Sequence, residues 1–398
     1  MLTVAEAKRR ILAAVPALPT EQVALEDTVG RTLAQSVHAE RDQPPFDRVM
    51  MDGIALSYDI FASLERSFPI QATQMAGDPP LTLEAGRCIE IMTGAALPDG
   101  ADLIVPVEQI TVANGAAHVQ ANYMAERRQF IHARGSDHEA GTELLRPGKR
   151  IRPADVAVLA SAGLANVTVA RQPVVTVIST GDELVRAGEA IEPQQIRLSN
   201  GPALCAMLTE HGYTHSRLDH LPDDRSELAA RIEAHLDESD ALILSGGVSK
   251  GKADYVPDVL AELGVTVDFH RISQRPGKPM WFGTGTRGQA VFALPGNPVS
   301  TLVCCRQYVV PALDRMSGAE AVPQHFANLT EDVSFKPDLT CFLPVRVVTS
   351  ATGQSLALPV PTNTSGDFAA LSSTDGYVEL ALEEELFAGG TTVPLTRW

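Results

Sequence analysis

The chain has 398 residues, which at roughly 100–200 residues per domain predicts two to four domains. Its formal charge of −17, from 32 basic and 49 acidic residues, disfavours nucleic acid or an anionic membrane as the main partner, because both bind basic surfaces. The sequence has no secretory signal and no apolar run long enough to span a bilayer. Five cysteines form no C-x-x-C pair, which predicts reduced thiols and a cytoplasmic protein.

The first part of the chain changes character twice. Residues 1–42 are predicted to be helical, since Val4, Ala7 and Ile11 recur at helical spacing. Residues 44–135 hold short apolar runs between Pro- and Gly-rich turns, which predicts a small β-rich domain. Within 136–172 the pattern indicates a helix followed by a short strand. We therefore expect 1–43 to join 136–172 in one helical linker domain.

From Pro173 the pattern alternates strand, loop and helix. The predicted strands are Val174–Ser179, Ala241–Leu244 and Ala290–Leu294, and the predicted helices are Pro202–Glu210, Ser226–Leu236, Tyr255–Leu263 and Val299–Met316. Alternation of this kind is typical of a doubly wound, mostly parallel sheet, so we expect an α/β domain over 173–318. Residues 319–398 predict a small antiparallel β domain.

Three loops directly follow apolar strands, at the sheet edge where ligands of doubly wound domains bind. They are Ser179–Glu183, Ser245–Asp254 and Pro295–Pro298. Two adjacent glycines in the second loop, with a helix predicted to begin near Asp254, favour a phosphate-bearing ligand over a plain turn. The near match to G-x-x-x-x-G-K at Gly246–Lys252 is not a P-loop, because Ala253 replaces the hydroxyl residue that would hold Mg²⁺.

Charged residues gather in the same loops. The acids Asp182, Glu183, Asp223 and Asp254 are candidate ligands for a Mg²⁺ that bridges to phosphate, although a turn residue or a helix N-cap explains each acid alone. The turn Arg275–Pro279 carries two cations, and its two prolines and its glycine restrict the backbone, which predicts that it binds an oxyanion. The alternative is an ordinary solvated loop.

The motifs in chain order identify a resemblance. They are M-D-G at Met51–Gly53, M-T-G-A-A-L-P-D-G-A-D at Met92–Asp102, R-G-S-D at Arg134–Asp137, S-T-G-D-E-L at Ser179–Leu184, Q-I-R-L-S-N at Gln195–Asn200, S-G-G-V-S-K-G-K-A-D-Y at Ser245–Tyr255, R-P-G-K-P at Arg275–Pro279 and L-P-G-N-P-V-S at Leu294–Ser300. Together they resemble the molybdopterin molybdenumtransferase (MoeA) family, which includes the C-terminal domain of gephyrin. The resemblance is specific to about Met316 and weaker beyond it.

The resemblance implies a homodimer that inserts molybdate into adenylylated molybdopterin, with Mg²⁺ assisting and AMP released. Its active cleft would lie between the α/β domain of one subunit and the β-rich domain of the partner. The implied partners also include the molybdopterin adenylyltransferase and molybdoenzyme chaperones.

The resemblance also implies roles for particular residues. The implied catalytic residues are Asp52, Thr93, Asp182, Glu183 and Lys278. The implied substrate-binding residues are Asp137, Ser245, Gly246, Gly247, Ser249, Arg275, Pro295 and Pro298. The implied metal ligands are Asp182, Glu183, Asp223 and Asp254. Asp52 or Glu183 would deliver protons to leaving oxide if burial raises the pKa of its carboxyl.

Two alternatives stay open. The α/β domain alone suits an adenylyltransferase or another nucleotide reaction, but the flanking domains argue against it. A non-catalytic scaffold is the other alternative. The sequence does not distinguish molybdenum from tungsten.

Overall fold

The computed structural model describes residues 1–246, 255–336, 338–362 and 364–398. The chain divides into two compact units. The first comprises Met1–Ala34, Pro147–Arg152 and Thr168–Trp398, and the second comprises Gln35–Arg146 and Pro153–Val167. No helix within these described stretches is long and apolar enough to cross a membrane.

The helices are numbered along the chain. They are α1 Val4–Ala14, α2 Tyr58–Ala62, α3 Pro153–Ser161, α4 Asn200–Glu210, α5 Arg225–Glu238, α6 Val256–Glu262, α7 Pro298–Cys304, α8 Val310–Met316 and α9 Phe368–Leu371. Short 3-10 turns cover Leu25–Asp27 and Val107–Gln109.

The strands are numbered in the same way. In the first half they are β1 Thr20–Ala24, β2 Val37–His38, β3 Arg48–Val49, β4 Gly53–Leu56, β5 Ser67–Gln74, β6 Cys88–Ile91, β7 Leu103–Pro106, β8 Ile110–Ala113, β9 Ala116–Val119, β10 Ile131–His132, β11 Glu143–Leu145, β12 Asn166–Ala170, β13 Val175–Thr180 and β14 Leu184–Val185. In the second half they are β15 Ile196–Arg197, β16 Ser216–Leu221, β17 Ala241–Ser245, β18 Thr266–His270, β19 Gln274–Arg275, β20 Trp281–Thr284, β21 Ala290–Leu294, β22 His325–Leu329, β23 Val333–Ser334, β24 Thr340–Thr349, β25 Ser355–Pro359, β26 Gly376–Leu380, β27 Leu386–Phe387 and β28 Thr392–Arg397.

The predicted helix over 1–42 is wrong beyond Ala14, since only Val4–Ala14 is α-helical in this segment. Helix α1 begins after Thr3, whose hydroxyl accepts the Glu6 N–H at 3.2 Å and so caps the helix. It ends before Pro16, because proline disfavours helical backbone in the residue that precedes it. Residues Thr20–Ala24 form strand β1 instead, since hydrogen bonds to distant backbone outweigh local preference there.

The six-stranded sheet of the first unit has the order β16-β13-β17-β21-β20-β18. Its first four strands are parallel, and β20 runs antiparallel to both of its neighbours, β21 and β18, so the predicted mostly parallel α/β fold is confirmed. Every residue of β13, β17 and β21 is buried. This is why the sequence shows them as continuous apolar runs. The sequence prediction did not include β16, β18 or β20, which carry more polar or glycine residues.

Helices cover both faces of this sheet. Helices α1, α4, α7 and α8 contribute to the core on one face, and α5 and α6 contribute to the core on the other. The single helix predicted over Val299–Met316 is interrupted by a π-helical turn at Cys305–Val309. Pro311 explains the interruption, because its ring would clash with the carbonyl four residues earlier in a regular α-helix.

The C-terminal region forms a closed sheet. Its strands follow the order β19-β24-β25-β22-β28-β26, and β26 pairs back with β24, so five strands form a ring. Most of these pairs are antiparallel, as predicted, but β22 pairs with β25 and β19 with β24 in parallel. Closure leaves the five ring strands without a free edge.

The second unit contains a six-stranded, mostly antiparallel sheet of order β7-β4-β6-β5-β9-β8. The predicted β-rich character of this region is therefore observed. Strand β4 lies between β6 and β7 and is buried along its whole length. The loop before β4 carries Asp52, so this central strand fixes the backbone beside that acid.

Candidate functional site

Three loops meet at the carboxyl ends of β13, β17 and β21, which are adjacent parallel strands. Gly246 follows β17 with a φ of +101°, and a Cβ there would lie 2.8 Å from the Thr180 carbonyl oxygen. A Cβ on Gly296 would lie 3.8 Å from the Gly246 Cα. The positive φ and the clash with Thr180 explain the glycine at position 246, whereas a Cβ on Gly296 would only be in ordinary contact with Gly246.

Asn200, the first residue of α4, joins two of these loops. Its side-chain amide donates to the Ser245 hydroxyl at 2.9 Å and to the Gly296 carbonyl at 2.8 Å. The sequence prediction gave Asn200 no role, although it stands in the Q-I-R-L-S-N motif. The signal that could have revealed it is its place at a predicted helix start next to the ligand edge.

The acidic loop after β13 lies beside the end of β16. Asp182 and Glu183 are exposed, and one Asp182 carboxylate oxygen accepts the Asp223 backbone N–H at 3.1 Å. A Cβ on Gly181 would lie 2.5 Å from a Glu183 carboxylate oxygen, so that side chain folds back over the glycine. Sequence reasoning thus brought together residues that are neighbours in the fold.

In the described part of the chain, the acids of this loop do not form a metal site by themselves. Among the described residues, no group of three His, Cys, Asp or Glu side chains could hold a metal ion. Three predicted site residues, Gly247, Ser249 and Asp254, lie outside the described residues. Asp182 and Glu183 could still supply one or two hard oxygen ligands, which is the number that Mg²⁺ commonly takes from protein when substrate phosphates supply others.

The cationic turn follows β19 in the same unit. Arg275 and Lys278 are exposed, and in the described parts of the chain neither forms a salt bridge. Backbone bonds close the turn, since the Ile272 N–H donates to the Lys278 carbonyl at 3.0 Å and the Met280 N–H donates to the Gly277 carbonyl at 3.1 Å. Two exposed cations that lack a carboxylate partner among the described residues, on a closed turn, suit an oxyanion.

The third loop is held by residues on both of its sides. Pro295 is buried, and its carbonyl accepts a hydrogen bond from the Thr301 hydroxyl. Pro298 begins α7, and the Asn297 amide donates to the Ser365 hydroxyl at 2.7 Å. Ser365 belongs to the C-terminal region, so that region reaches the loop although the sequence assigned it no role.

A cavity of about 440 Å³ lies at the opposite edge of the sheet, near the strand starts. Its lining includes Arg171, which forms two hydrogen bonds to Asp240 at 2.8 and 2.9 Å. A second lining cation, Arg287, pairs with Asp237 at 3.2 Å. Because protein carboxylates already neutralise these cations, the cavity lacks the free positive charge that a phosphate-bearing ligand needs.

In the second unit, Asp52 and Thr93 are in direct contact. The Asp52 carboxylate accepts the Thr93 N–H at 2.6 Å and the Thr93 hydroxyl at 2.7 Å. These bonds lower the pKa of Asp52, which is exposed. The condition set for proton delivery by Asp52, that burial raises its pKa, is therefore not met. Glu183 is exposed as well. The ionised Asp52 carboxylate is suited to accept hydrogen bonds and unsuited to donate a proton.

Asp137, also in the second unit, contacts a histidine. A carboxylate oxygen of Asp137 lies 2.9 Å from Nε2 of His132, and Nδ1 of His132 lies 3.2 Å from an Arg48 guanidinium nitrogen. Since arginine only donates, Nδ1 accepts and Nε2 carries the proton toward Asp137. The sequence prediction missed His132 and Arg48 in this chain of contacts.

The fold defines an α/β protein whose parallel sheet carries glycine- and acid-rich loops at its carboxyl edge. Three family models match the chain: the MoeA N-terminal region (domain I and II) at residues 2–163, a probable molybdopterin binding domain at 176–315, and the MoeA C-terminal region (domain IV) at 327–398.

Individual relatives agree with the family models. A molybdopterin molybdenumtransferase of Synechocystis sp. is 37% identical and is covered over 100% of both chains. One of Bacillus subtilis is 31% identical over 98% of this chain and 93% of its own. A crystal structure of a molybdopterin biosynthesis MoeA protein from Pyrococcus horikosii has a TM-score of 0.82 at 30% identity, covering 100% and 99% of the two chains. The chain therefore belongs to the molybdopterin molybdenumtransferase (MoeA) family, which confirms the resemblance seen in its motifs.

Proposed function

We propose that this protein inserts molybdate into adenylylated molybdopterin, with release of AMP, to form molybdenum cofactor. Its family makes it a transferase of molybdenum cofactor biosynthesis. The single observation that carries the finer proposal is that MoeA regions match on both sides of the molybdopterin-binding domain. An adenylyltransferase needs only the central domain, so the flanking regions favour insertion over that alternative.

Different residues of the α/β domain would bind different parts of the two substrates. Ser245, Gly246 and Gly296 would bind the phosphate-bearing pterin at the sheet edge, together with Gly247 and Ser249. Arg275 and Lys278 would hold molybdate and offset negative charge that develops during the reaction, with Pro295 and Pro298 shaping the adjoining wall. The exposure of both cations, neither of which has a carboxylate partner in the part of the chain that the structure describes, supports this division, because their donors can form charge-assisted hydrogen bonds to an oxyanion.

We also propose Mg²⁺ as a cofactor, with Asp182, Glu183, Asp223 and Asp254 as the acids on its side of the site. The carboxylates suit a hard cation that substrate phosphates also ligate, and the bound ion would neutralise charge on the anhydride. Asp182 also accepts a backbone N–H, which holds its carboxylate next to the end of β16. Chelation with EDTA should abolish AMP release, and added Mg²⁺ should restore it.

The active protein is proposed to be a cytoplasmic homodimer in which Asp52, Thr93 and Asp137 close the cleft of the partner subunit. Five free thiols support the location. The molybdopterin adenylyltransferase and molybdoenzyme chaperones are the proposed protein partners, since they would supply the substrate and receive the product.

Mixing two inactive variants tests the shared cleft. Asp52→Asn and Lys278→Ala should each be inactive alone, but half of the randomly mixed dimers would be hybrids with one intact cleft. The mixture should then recover about a quarter of wild-type activity, because a two-fold dimer has two equivalent clefts. No recovery after verified subunit exchange would show that both residues act within one subunit.

A direct assay tests the function itself. Purified protein with adenylylated molybdopterin, Mg²⁺ and molybdate should release AMP and load a molybdenum-free apoenzyme. Formation of adenylylated molybdopterin from ATP instead would favour the adenylyltransferase. Unchanged complementation of a molybdenum-cofactor mutant by a chain carrying Asp182→Asn and Lys278→Ala would favour a scaffold.

A further inference from the structure

Gln274 lies directly before the cationic turn and is fully buried. Its amide nitrogen donates to the Pro276 carbonyl at 3.0 Å and contacts the Cys304 sulfur at 3.5 Å. Its amide oxygen accepts a hydrogen bond from the buried Tyr308 hydroxyl. Both ends of this side chain therefore have partners, and one of those partners is the backbone of the turn itself.

The turn is packed against this amide without spare room. Gly277 has a φ of +96°, and a Cβ there would lie 2.4 Å from the Gln274 amide nitrogen and 2.5 Å from the Cys304 sulfur. The backbone between Arg275 and Lys278 thus rests directly on Gln274 and α7. A turn supported in this way keeps a fixed shape.

The second hydrogen-bond partner of Gln274 is the buried hydroxyl of Tyr308. Tyr308 belongs to the π-helical turn Cys305–Val309, so its hydroxyl position depends on the interrupted helix rather than on a regular one. Gln274 also pairs with Thr340 of strand β24 through the parallel backbone pairing of β19. Gln274 therefore connects the turn to the helix and to the C-terminal sheet.

We propose that Gln274 is a positioning residue that sets the spacing of the Arg275 and Lys278 cations for the incoming oxyanion. Its buried amide holds the Pro276 carbonyl, while both cations project into solvent from the turn that this bond fixes. The inference rests on the proposed function of the turn as the molybdate clamp. It adds that the clamp geometry depends on a side chain that never touches the anion.

The test compares Gln274→Met with Gln289→Met in the full-length protein. Gln289 is a matched control, because it is also buried and donates to a carbonyl, that of Leu236, at 2.8 Å. It lies just before the start of β21, whereas the candidate site lies beyond the carboxyl end of that strand. We expect Gln274→Met to raise the KM for molybdate about tenfold, the equivalent of about 1.4 kcal/mol, and to change kcat at saturating molybdate less than about twofold. Gln289→Met should leave both constants unchanged.

A second pair of variants separates positioning from stability. Tyr308→Phe leaves the Gln274 amide oxygen unsatisfied. Combining it with Gln274→Met removes both members of that hydrogen bond and should recover part of the lost Tm, while the Pro276 carbonyl still lacks its donor. The molybdate KM of the double variant should stay high despite that recovery. Tyr377→Phe, which removes the buried bond to Gln307, is the control for the tyrosine change.

The outcomes are distinguishable. A molybdate KM that follows Tm across all variants would overturn the positioning role, as would a Gln274→Met enzyme with a normal molybdate KM. Calorimetric titration with molybdate alone measures the affinity for the anion directly, without turnover. If Lys278→Ala also binds molybdate normally in that titration, the proposed clamp fails, and not merely its support by Gln274.

Discussion

The Asp52 carboxylate holds both the backbone N–H and the hydroxyl of Thr93, at 2.6 and 2.7 Å. Asp52→Asn removes the charge that strengthens both bonds, and Thr93→Val removes the hydroxyl donor. We expect Asp52→Asn to leave molybdenum insertion near background and Thr93→Val to lower kcat/KM at least about tenfold, because charged hydrogen bonds contribute about 1.5–3 kcal/mol. Asp78→Asn is the control, since that exposed carboxylate also accepts a backbone N–H at 2.9 Å.

The same contact predicts a pH dependence of stability. The Thr93 donors lower the pKa of Asp52 in the folded protein, so the carboxylate stabilises the fold above the ordinary pKa of aspartate. That contribution is lost as the pH falls through the lowered pKa. The Tm difference between wild type and Thr93→Val should therefore be larger at neutral pH than near pH 3. An equal difference at both values would contradict the assigned ionisation.

Gly53, next to Asp52, should not tolerate a side chain. A Cβ there would lie 2.0 Å from the Val105 carbonyl oxygen, which belongs to strand β7 and cannot move freely. We expect Gly53→Ala to destabilise the protein by about 3 kcal/mol or more, as severe overpacking does. Gly115→Ala, in open space at a φ of +74°, should cost only about 1 kcal/mol. Denaturant unfolding compares the two, and similar losses would exclude the clash as the cause.

Asn200 should matter for both stability and activity. Asn200→Ala removes the donors of the Ser245 hydroxyl and the Gly296 carbonyl, and we expect a loss of about 1–3 kcal/mol. The loops that it joins should then bind the pterin more weakly, so the KM for adenylylated molybdopterin should rise. Asn328→Ala, which removes a hydrogen bond from Thr392 in the C-terminal sheet, should leave that KM unchanged. Equal KM values for the two variants would contradict the role of Asn200.

The cysteines should react slowly in the native protein. Burial raises the pKa of the Cys88 thiol to about 11 and those of Cys305 and Cys341 to about 12, and it also raises the pKa values of Cys205 and Cys304. Thiolates are then scarce at neutral pH. Mass spectrometry after iodoacetamide treatment should find little labelling before unfolding and five labels after it. Rapid labelling of Cys304 in the native state would contradict the burial.

Much of the α/β domain could be predicted from local pattern. Strands β13, β17 and β21 are fully buried, so their apolar runs identified them, and each is followed by the loop that the motifs singled out. Strand β1 could not be predicted, because its strand conformation depends on backbone partners far away along the chain. The interruption of the helix at Cys305–Val309 was also missed, although Pro311 is the residue that explains it.

Residue types at short spacing were enough to locate the glycine- and acid-rich loops and the cationic turn at Arg275–Pro279, and to identify the family. The side chains that support those loops became identifiable only in the folded chain. Asn200 and Gln274 carry no charge and match no reactive group, and their importance comes from carbonyl and hydroxyl partners that folding brings within hydrogen-bonding distance. The ionisation of Asp52 depends on folding for the same reason, since Thr93 lies 41 residues further along the chain.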